Sequence, residues 1–281
     1  MMRRASHRGC IGASGVLLSV MLASVAVMLV AGPVQAKPAL RFSLSDPTGD
    51  DRGAGGLSYP KHADYTAGAF DLIRVEVVPK GRNVQVRLTF ASDITDPWLA
   101  SSWGGPGFSL QLAHVYFDTG RKRGRAAKAL AGLNADLGGR GWNKVLLISA
   151  ESTKRVKKRL RKVRRRRHVV LPKSLKVDGA TIIATVRRRD LGGKPAASWR
   201  VGVAVGSTDP FSPETLFARG IAVTASLTQF GGASGPCAPP IADVLAHDAA
   251  TQKETLTHAC EAPKRRAVIP MVRLDGKPGA R

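Results

Sequence analysis

The chain has 281 residues and a formal net charge of +24, from 44 Lys and Arg against 20 Asp and Glu. Hydrophobic residues make up 43%, enough to bury a core, which excludes a mostly disordered chain, a collagen and a multi-span membrane protein. Aromatic residues make up only 5%, thin for a protein that stacks on sugars or bases.

The N-terminus reads as an export signal. Arg3, Arg4 and Arg8 form a positive start, residues from about Ile11 to Val30 are small and apolar, and Val34-Gln35-Ala36 offers small residues at a cleavage position. Cleavage is expected after Ala36, leaving a periplasmic or secreted chain; the alternative is an uncleaved anchor, because the apolar stretch is long for a signal. Without the three arginines the rest carries 41 Lys and Arg against 20 acids, a net +21.

Asp46-Pro47-Thr48-Gly49-Asp50-Asp51-Arg52-Gly53 follows, with Asp71 further on. Three carboxylates in six residues, separated by glycine, suit a hard cation such as Ca²⁺, though the spacing is not that of an EF-hand. The expected ligands of a structural Ca²⁺ are Asp46, Asp50 and Asp51, with Asp71 or Asp118 as a further candidate; the plainer reading is an acidic surface loop that caps turns.

Phe70–Val78 and Val84–Phe90 alternate with period two around Pro79-Lys80-Gly81-Arg82-Asn83 and predict a hairpin. In Phe70–Val78, Leu72, Arg74 and Glu76 oppose Ile73, Val75 and Val77. A Gly/Pro-rich loop then carries Trp98, Trp103 and Phe108. An exposed ring there could stack on a pyranose face; the alternative is that each ring fills the core. Phe108–Phe117, Lys144–Ser149, Leu175–Val177, Thr181–Val186, Trp199–Val205 and Gly220–Leu227 read as further strands, with Asp178-Gly179 as a hairpin turn. Helix signals are weak except at Arg125–Leu133 and Ile241–Thr257.

Lys154 to Arg167 holds eleven Lys and Arg in fourteen residues and accounts for about half of the +21. Such density predicts an exposed loop or solvated strand extension, while Val156, Leu160 and Val163 at i, i+4, i+7 permit a short amphipathic helix. Lys157, Lys158, Arg159, Arg161, Arg164, Arg165, Arg166 and Arg167 are the candidate polyanion contacts; the alternative is a charge run that serves solubility. The run contains no aromatic ring to stack on a base, which argues against specific nucleic-acid recognition.

Cys237 and Cys260 are the cysteines left after the signal and are expected to pair in an oxidising compartment. No G-x-S-x-G, H-E-x-x-H or P-loop is present, and the histidines are scattered, so no enzyme is expected. Eight or more short strands with Gly/Pro turns argue for an all-β sandwich or barrel. The expected domains are a signal over 1–36, a β-sandwich over 37–250 with a basic inserted loop, and an irregular, partly disordered C-terminal extension over 251–281.

Asp46–Pro60, Gly68–Leu72, Asp96-Pro97-Trp98, Gly107–Leu112, Val115–Asp118, Gly132–Ala135, Trp142, Asp190–Gly192, Ser198-Trp199, Phe230–Gly232 and Ile241–Leu245 together resemble the C-terminal module of bacterial glucodextranase. The resemblance implies a β-sandwich related to sugar-binding modules, of a kind appended to secreted glucan-degrading enzymes and regarded as binding carbohydrate or cell surface. It also implies a binding module without a hydrolase, since the large helical catalytic domain has no room here. The sequence departs from the family in its basic run, its cysteine pair and its few tyrosines. The expected function is noncatalytic binding of a polysaccharide or cell-envelope glycan, and the rival is a polyanion-binding envelope protein acting through residues 154–167.

Overall fold

Period-two alternation makes strands because one face of each can be buried while the other stays wet. A computed structural model describes residues 41–121, 125–209 and 218–276; the expected signal lies outside the described residues. In chain order the described elements are β1 (Phe42–Ser45), β2 (Leu72–Lys80), β3 (Asn83–Phe90), β4 (Gln111–Asp118), β5 (Ala135–Leu137), β6 (Lys144–Ser149), α1 (Thr153–Leu160), β7 (Val169–Val170), β8 (Ser174–Asp178), β9 (Thr181–Arg187), β10 (Arg200–Ser207), β11 (Asp243–Val244), α2 (Ala249–Leu256), β12 (Ala267–Ile269) and β13 (Val272–Arg273). No described helix is long and apolar enough to cross a membrane.

One sheet has the order β1-β2-β3-β9-β8 and is antiparallel throughout. The other runs β11-β10-β4-β6-β7, with β13 also on β10. The main core lies between them. Val84, Val86, Leu88 and Phe90 reach it from β3, as alternation requires. On β2 the alternation breaks: a bulge between Leu72 and Arg74 puts Leu72 in the same core as Val75 and Val77. Leu72 therefore does not share a face with Arg74 and Glu76, because the extra residue of a bulge flips every side chain beyond it.

The second sheet is covered on both faces. Along β4, Ala113, Val115 and Phe117 enter the main core, while Leu112 and Tyr116 enter a second one. That second core also holds Trp142, Val145, Leu147, Val156, Leu160, Leu256, Ala267 and Ile269, so both helices and the β5/β12 pair roof the sheet. Fully covered strands lose the polar half of their pattern, which is why β4 is buried along its whole length.

The parallel pairing of β6 and β7, Val145 with Val169 and Leu146 with Val170, explains what the basic run is. Parallel neighbours need a crossover connection, and residues 150–168 are that crossover. The expected inserted loop is therefore a helix for eight of its residues, α1, and the amphipathic alternative is the one the fold adopts.

Three further expectations need correction. Gly220–Leu227 is irregular, and Arg125–Leu133 forms no helix but makes isolated bridges from Ala126 to Trp142 and from Lys128 to Asp136. The C-terminal segment is not an appended extension. Helix α2 spans the expected boundary at 250, β12 pairs with β5, β13 pairs with β10, and Ala267, Ile269 and Leu274 are buried. Residues 265–274 carry three arginines but also six apolar side chains, and burial of three of these together with the two strand pairings docks the segment. Residues 277–281 lie outside the described residues.

Candidate functional site

The basic face is built around α1. Ser152 caps the helix by accepting from the Arg155 N–H, and Glu151 pairs with Arg155 at 3.2 Å. Cations in the last turn, Lys157, Lys158 and Arg159, oppose the negative end of the helix dipole. Val156 and Leu160 are 3% and 7% exposed and pin the helix to the second core. The cations are thus held by a buried stripe rather than strung along a mobile loop. Burial and the neighbouring Arg155 pull Arg159 below its ordinary value.

Two grooves flank this helix. One, of about 670 Å³, lies between Arg159, Lys162, Val163, Arg164 and Arg165 and the residues Ala126–Ala131. Among the described residues five cations line it, counting Lys128, and no carboxylate does. The other, of about 700 Å³, is lined by Lys144, Lys157, Arg167, Lys173 and Arg187, with Asp190 as its one acid. Of the eight predicted contacts, Arg159, Arg164 and Arg165 go to the first groove and Lys157 and Arg167 to the second. Lys158, Arg161 and Arg166 line neither, and all three are exposed. Sequence reasoning missed Lys128, Lys144, Lys173 and Arg187, which lie outside the charge run and join it only through the fold.

The acidic residues assemble differently. Asp46 follows β1, Asp50 lies in the loop beyond, and Asp243 sits on β11; one carboxylate oxygen of each lies within 4.8 Å of the others. The main chain also holds three of the neighbouring carboxylates. Asp46 accepts from the Ala246 N–H at 2.6 Å, Asp71 from Gly49 at 2.6 Å, and Asp243 from Leu72 at 2.6 Å. Burial, opposed in part by the Ala246 bond and reinforced by Asp50 and Asp71, raises Asp46. Burial and then Asp71 push Asp50 up to about 6. Burial raises Asp71, and burial with Asp46 and Asp50 raises Asp243 well above the carboxylate range.

Asp243 was not predicted. Its only signal is a carboxylate inside the apolar run Ile241-Ala242-Asp243-Val244-Leu245. Two predicted acids belong elsewhere. Asp51 accepts from the Tyr59 hydroxyl and is not among the three converging carboxylates. Asp118 is buried at the end of β4, where Arg125 at 3.1 Å and Arg140 at 3.3 Å neutralise it.

The aromatic loop separates its three candidates. Phe108 is fully buried in the main core and offers no face to a ligand. Trp98 is half-buried: its indole N–H donates to Asp64 at 3.1 Å, Tyr65 meets it edge-on, and Arg219 lies over its ring at 5.9 Å. Trp103 ends a single 3₁₀ turn, Ala100–Trp103, and is 56% exposed. Trp199 is buried against Phe117, as its strand pattern implied.

A model of the C-terminal binding-module, SLH-like, of glucodextranase matches residues 42–272. The chain belongs to this family. No curated protein matches it. The family is that of a binding module rather than a catalytic domain, and its match runs from the first strand to the last, so it includes the C-terminal segment.

In this module the disulfide joins Cys237 to Cys260, with Cα atoms 5.4 Å apart. It closes a loop that contains Asp243 and α2. The two histidines of that loop do not come together as a ligand pair: His258 bonds Ser234 at 2.8 Å, and His247 contacts Asp248 at 3.1 Å.

Proposed function

We propose that this module binds an acidic glycan or polymer of the cell envelope, without catalysis, through the basic face of α1. The single observation that carries the reading is the pair of cation-lined grooves on either side of a helix whose apolar stripe is buried. A charge run that served solubility alone would need no such anchoring and would draw no Lys or Arg from other strands. Phosphate or carboxylate groups spaced along a polymer fit such a surface. Export to the periplasm or the outside, read from residues 1–36, puts the module where these polymers are.

Retention on dextran sulfate and on neutral dextran tests it, at about 50 mM and about 300 mM NaCl. The sulfated polymer is expected to bind strongly at low salt and to lose at least tenfold at high salt, because binding releases counterions. Substituting Lys157, Lys158, Arg164 and Arg165 with Gln should weaken it at least a hundredfold. The control removes the same charge from the other sheet, at Arg74, Lys80, Arg82 and Lys176, which are all exposed. Equal loss in the control would sink the reading.

A second reading rests on Trp103 and on Leu99, which precedes the same turn and is 65% exposed. Together they offer an apolar step on which a neutral pyranose could stack. Neutral dextran binding that is lost in Trp103→Ala and indifferent to salt would favour it.

A further inference from the structure

Each of three buried carboxylates spends one oxygen on a backbone N–H and leaves the other without a partner: Asp46 Oδ2, Asp71 Oδ1 and Asp243 Oδ1. Both oxygens of Asp50 are unpartnered as well. That makes five buried carboxylate oxygens with no donor among the described residues. Asp243 is the most telling, because it is 0% exposed and sits on the edge strand β11 between the buried residues Ala242 and Val244. Buried polar atoms in folded proteins find partners almost without exception, and a buried charge is paired or coordinates a metal. Among the described residues no Lys or Arg forms an ion pair with Asp46, Asp50, Asp71 or Asp243.

We propose that Asp46, Asp50 and Asp243, with Asp71 beside them, bind one calcium ion that ties the first loop to the C-terminal segment.

The donor set is all oxygen, which selects a hard cation over zinc or copper. Oxygens on opposite sides of a calcium ion stand about 4.6–5.2 Å apart, and the three converging oxygens fit within 4.8 Å of one another. The backbone bonds aim the carboxylates before any ion arrives. They also show what the ion would join. The Gly53 N–H donates to the Ala242 carbonyl at 2.7 Å, Gln252 of α2 donates to the Asp50 carbonyl, and Asp46 holds Ala246. These contacts link residues about 200 apart in sequence, at a seam between β1 and β11 that no strand pairing crosses. The raised proton affinities of the four acids mark the same unanswered charge.

The test uses the full chain, freed of metal with a chelator and then titrated with Ca²⁺ or Mg²⁺ near pH 7.5 by calorimetry and by thermal melting. Ca²⁺ is expected to bind one ion per chain and to raise the melting temperature by at least 5 °C, with Mg²⁺ at least tenfold weaker. Asp50→Asn removes a ligand whose oxygens support nothing else in the fold, so it should still fold and should bind Ca²⁺ at least tenfold more weakly. Asp243→Asn should do the same while its amide oxygen keeps the Leu72 bond. Absence of Ca²⁺ binding in the wild type up to millimolar concentration would overturn the proposal. So would an Asp50→Asn chain that binds Ca²⁺ as tightly as the wild type. Retention on dextran sulfate is read in parallel, so that this proposal and the basic-face reading stand or fall separately.

Discussion

Two regions of this module concentrate charge, and they do so in opposite ways. The carboxylates of Asp46, Asp50 and Asp243 come from separated parts of the chain and converge, with Asp46, Asp243 and the nearby Asp71 buried. The cations of α1 come from one continuous run and spread over the surface. Buried like charges raise one another's proton affinity and demand an internal counter-charge. Exposed like charges are screened by salt within about 10 Å and stay available to a polymer. One region is suited to holding the fold together and the other to reaching outside it.

The largest expected effect tests the claim that burial rules titration in the interior. His114 on β4 is 0% exposed, and burial pushes it down to about 3. Its Nδ1 lies 3.2 Å from the Tyr116 hydroxyl, which accepts from the Leu130 N–H. The unfolded chain takes up a proton near the ordinary value of 6.5 that the folded chain refuses. This contribution to stability is therefore full above about pH 6.5 and is lost as pH falls toward 3, on the order of 5 kcal/mol in all. His114→Gln cannot take up that proton and should flatten the acid limb of the stability curve. An unchanged limb, measured by urea denaturation across that range, would break the comparison on its buried side.

Next in size is the disulfide. Replacing Cys237 and Cys260 with Ala opens the loop that carries Asp243 and should cost about 3 kcal/mol by loop entropy. If that loop positions the carboxylates, Ca²⁺ affinity falls with it while retention on dextran sulfate holds. A parallel fall in both would mean that the two regions are not independent. Leu160→Ala strikes the other side. It removes half of the stripe that seats α1 and should cost about 2 kcal/mol. Polymer retention should weaken although no charge is lost, and unchanged retention would show that the cations act without a rigid helix. The smallest effect is expected for Trp103→Ala, within about 0.5 kcal/mol in stability because the ring is exposed; a larger loss in a thermal melt would place the ring in the fold rather than at the surface.

Much of this was legible before folding was considered. Val84–Phe90 and Thr181–Val186 were read as strands because each buries one face, so their pattern survives intact. Asp46, Asp50 and Asp71 were found because acids crowd one stretch of chain. Asp243 was not, since nothing local tells a ligand from a misplaced polar residue. The docking of 267–274 was missed for a related reason: its apolar residues gain their partners only from β5 and β10, which lie far away in sequence. Phe108 and Trp103 sit five residues apart in one loop, and only packing decided that the first is buried and the second is not.

Short-range patterns thus determined most of the long strands, the hairpin turns and the charge run, because each depends on neighbours in sequence, and cysteine count alone pointed to the disulfide. The tertiary structure decided the rest. It made the first half of the charge run a helix, within the crossover that the parallel β6 and β7 need. It added Lys128, Lys144, Lys173 and Arg187 to the basic face, and it closed the carboxylate cluster with Asp243. Those outcomes depend on which distant segments share a surface, and burial, which sets the energy of every charge involved, exists only once they do.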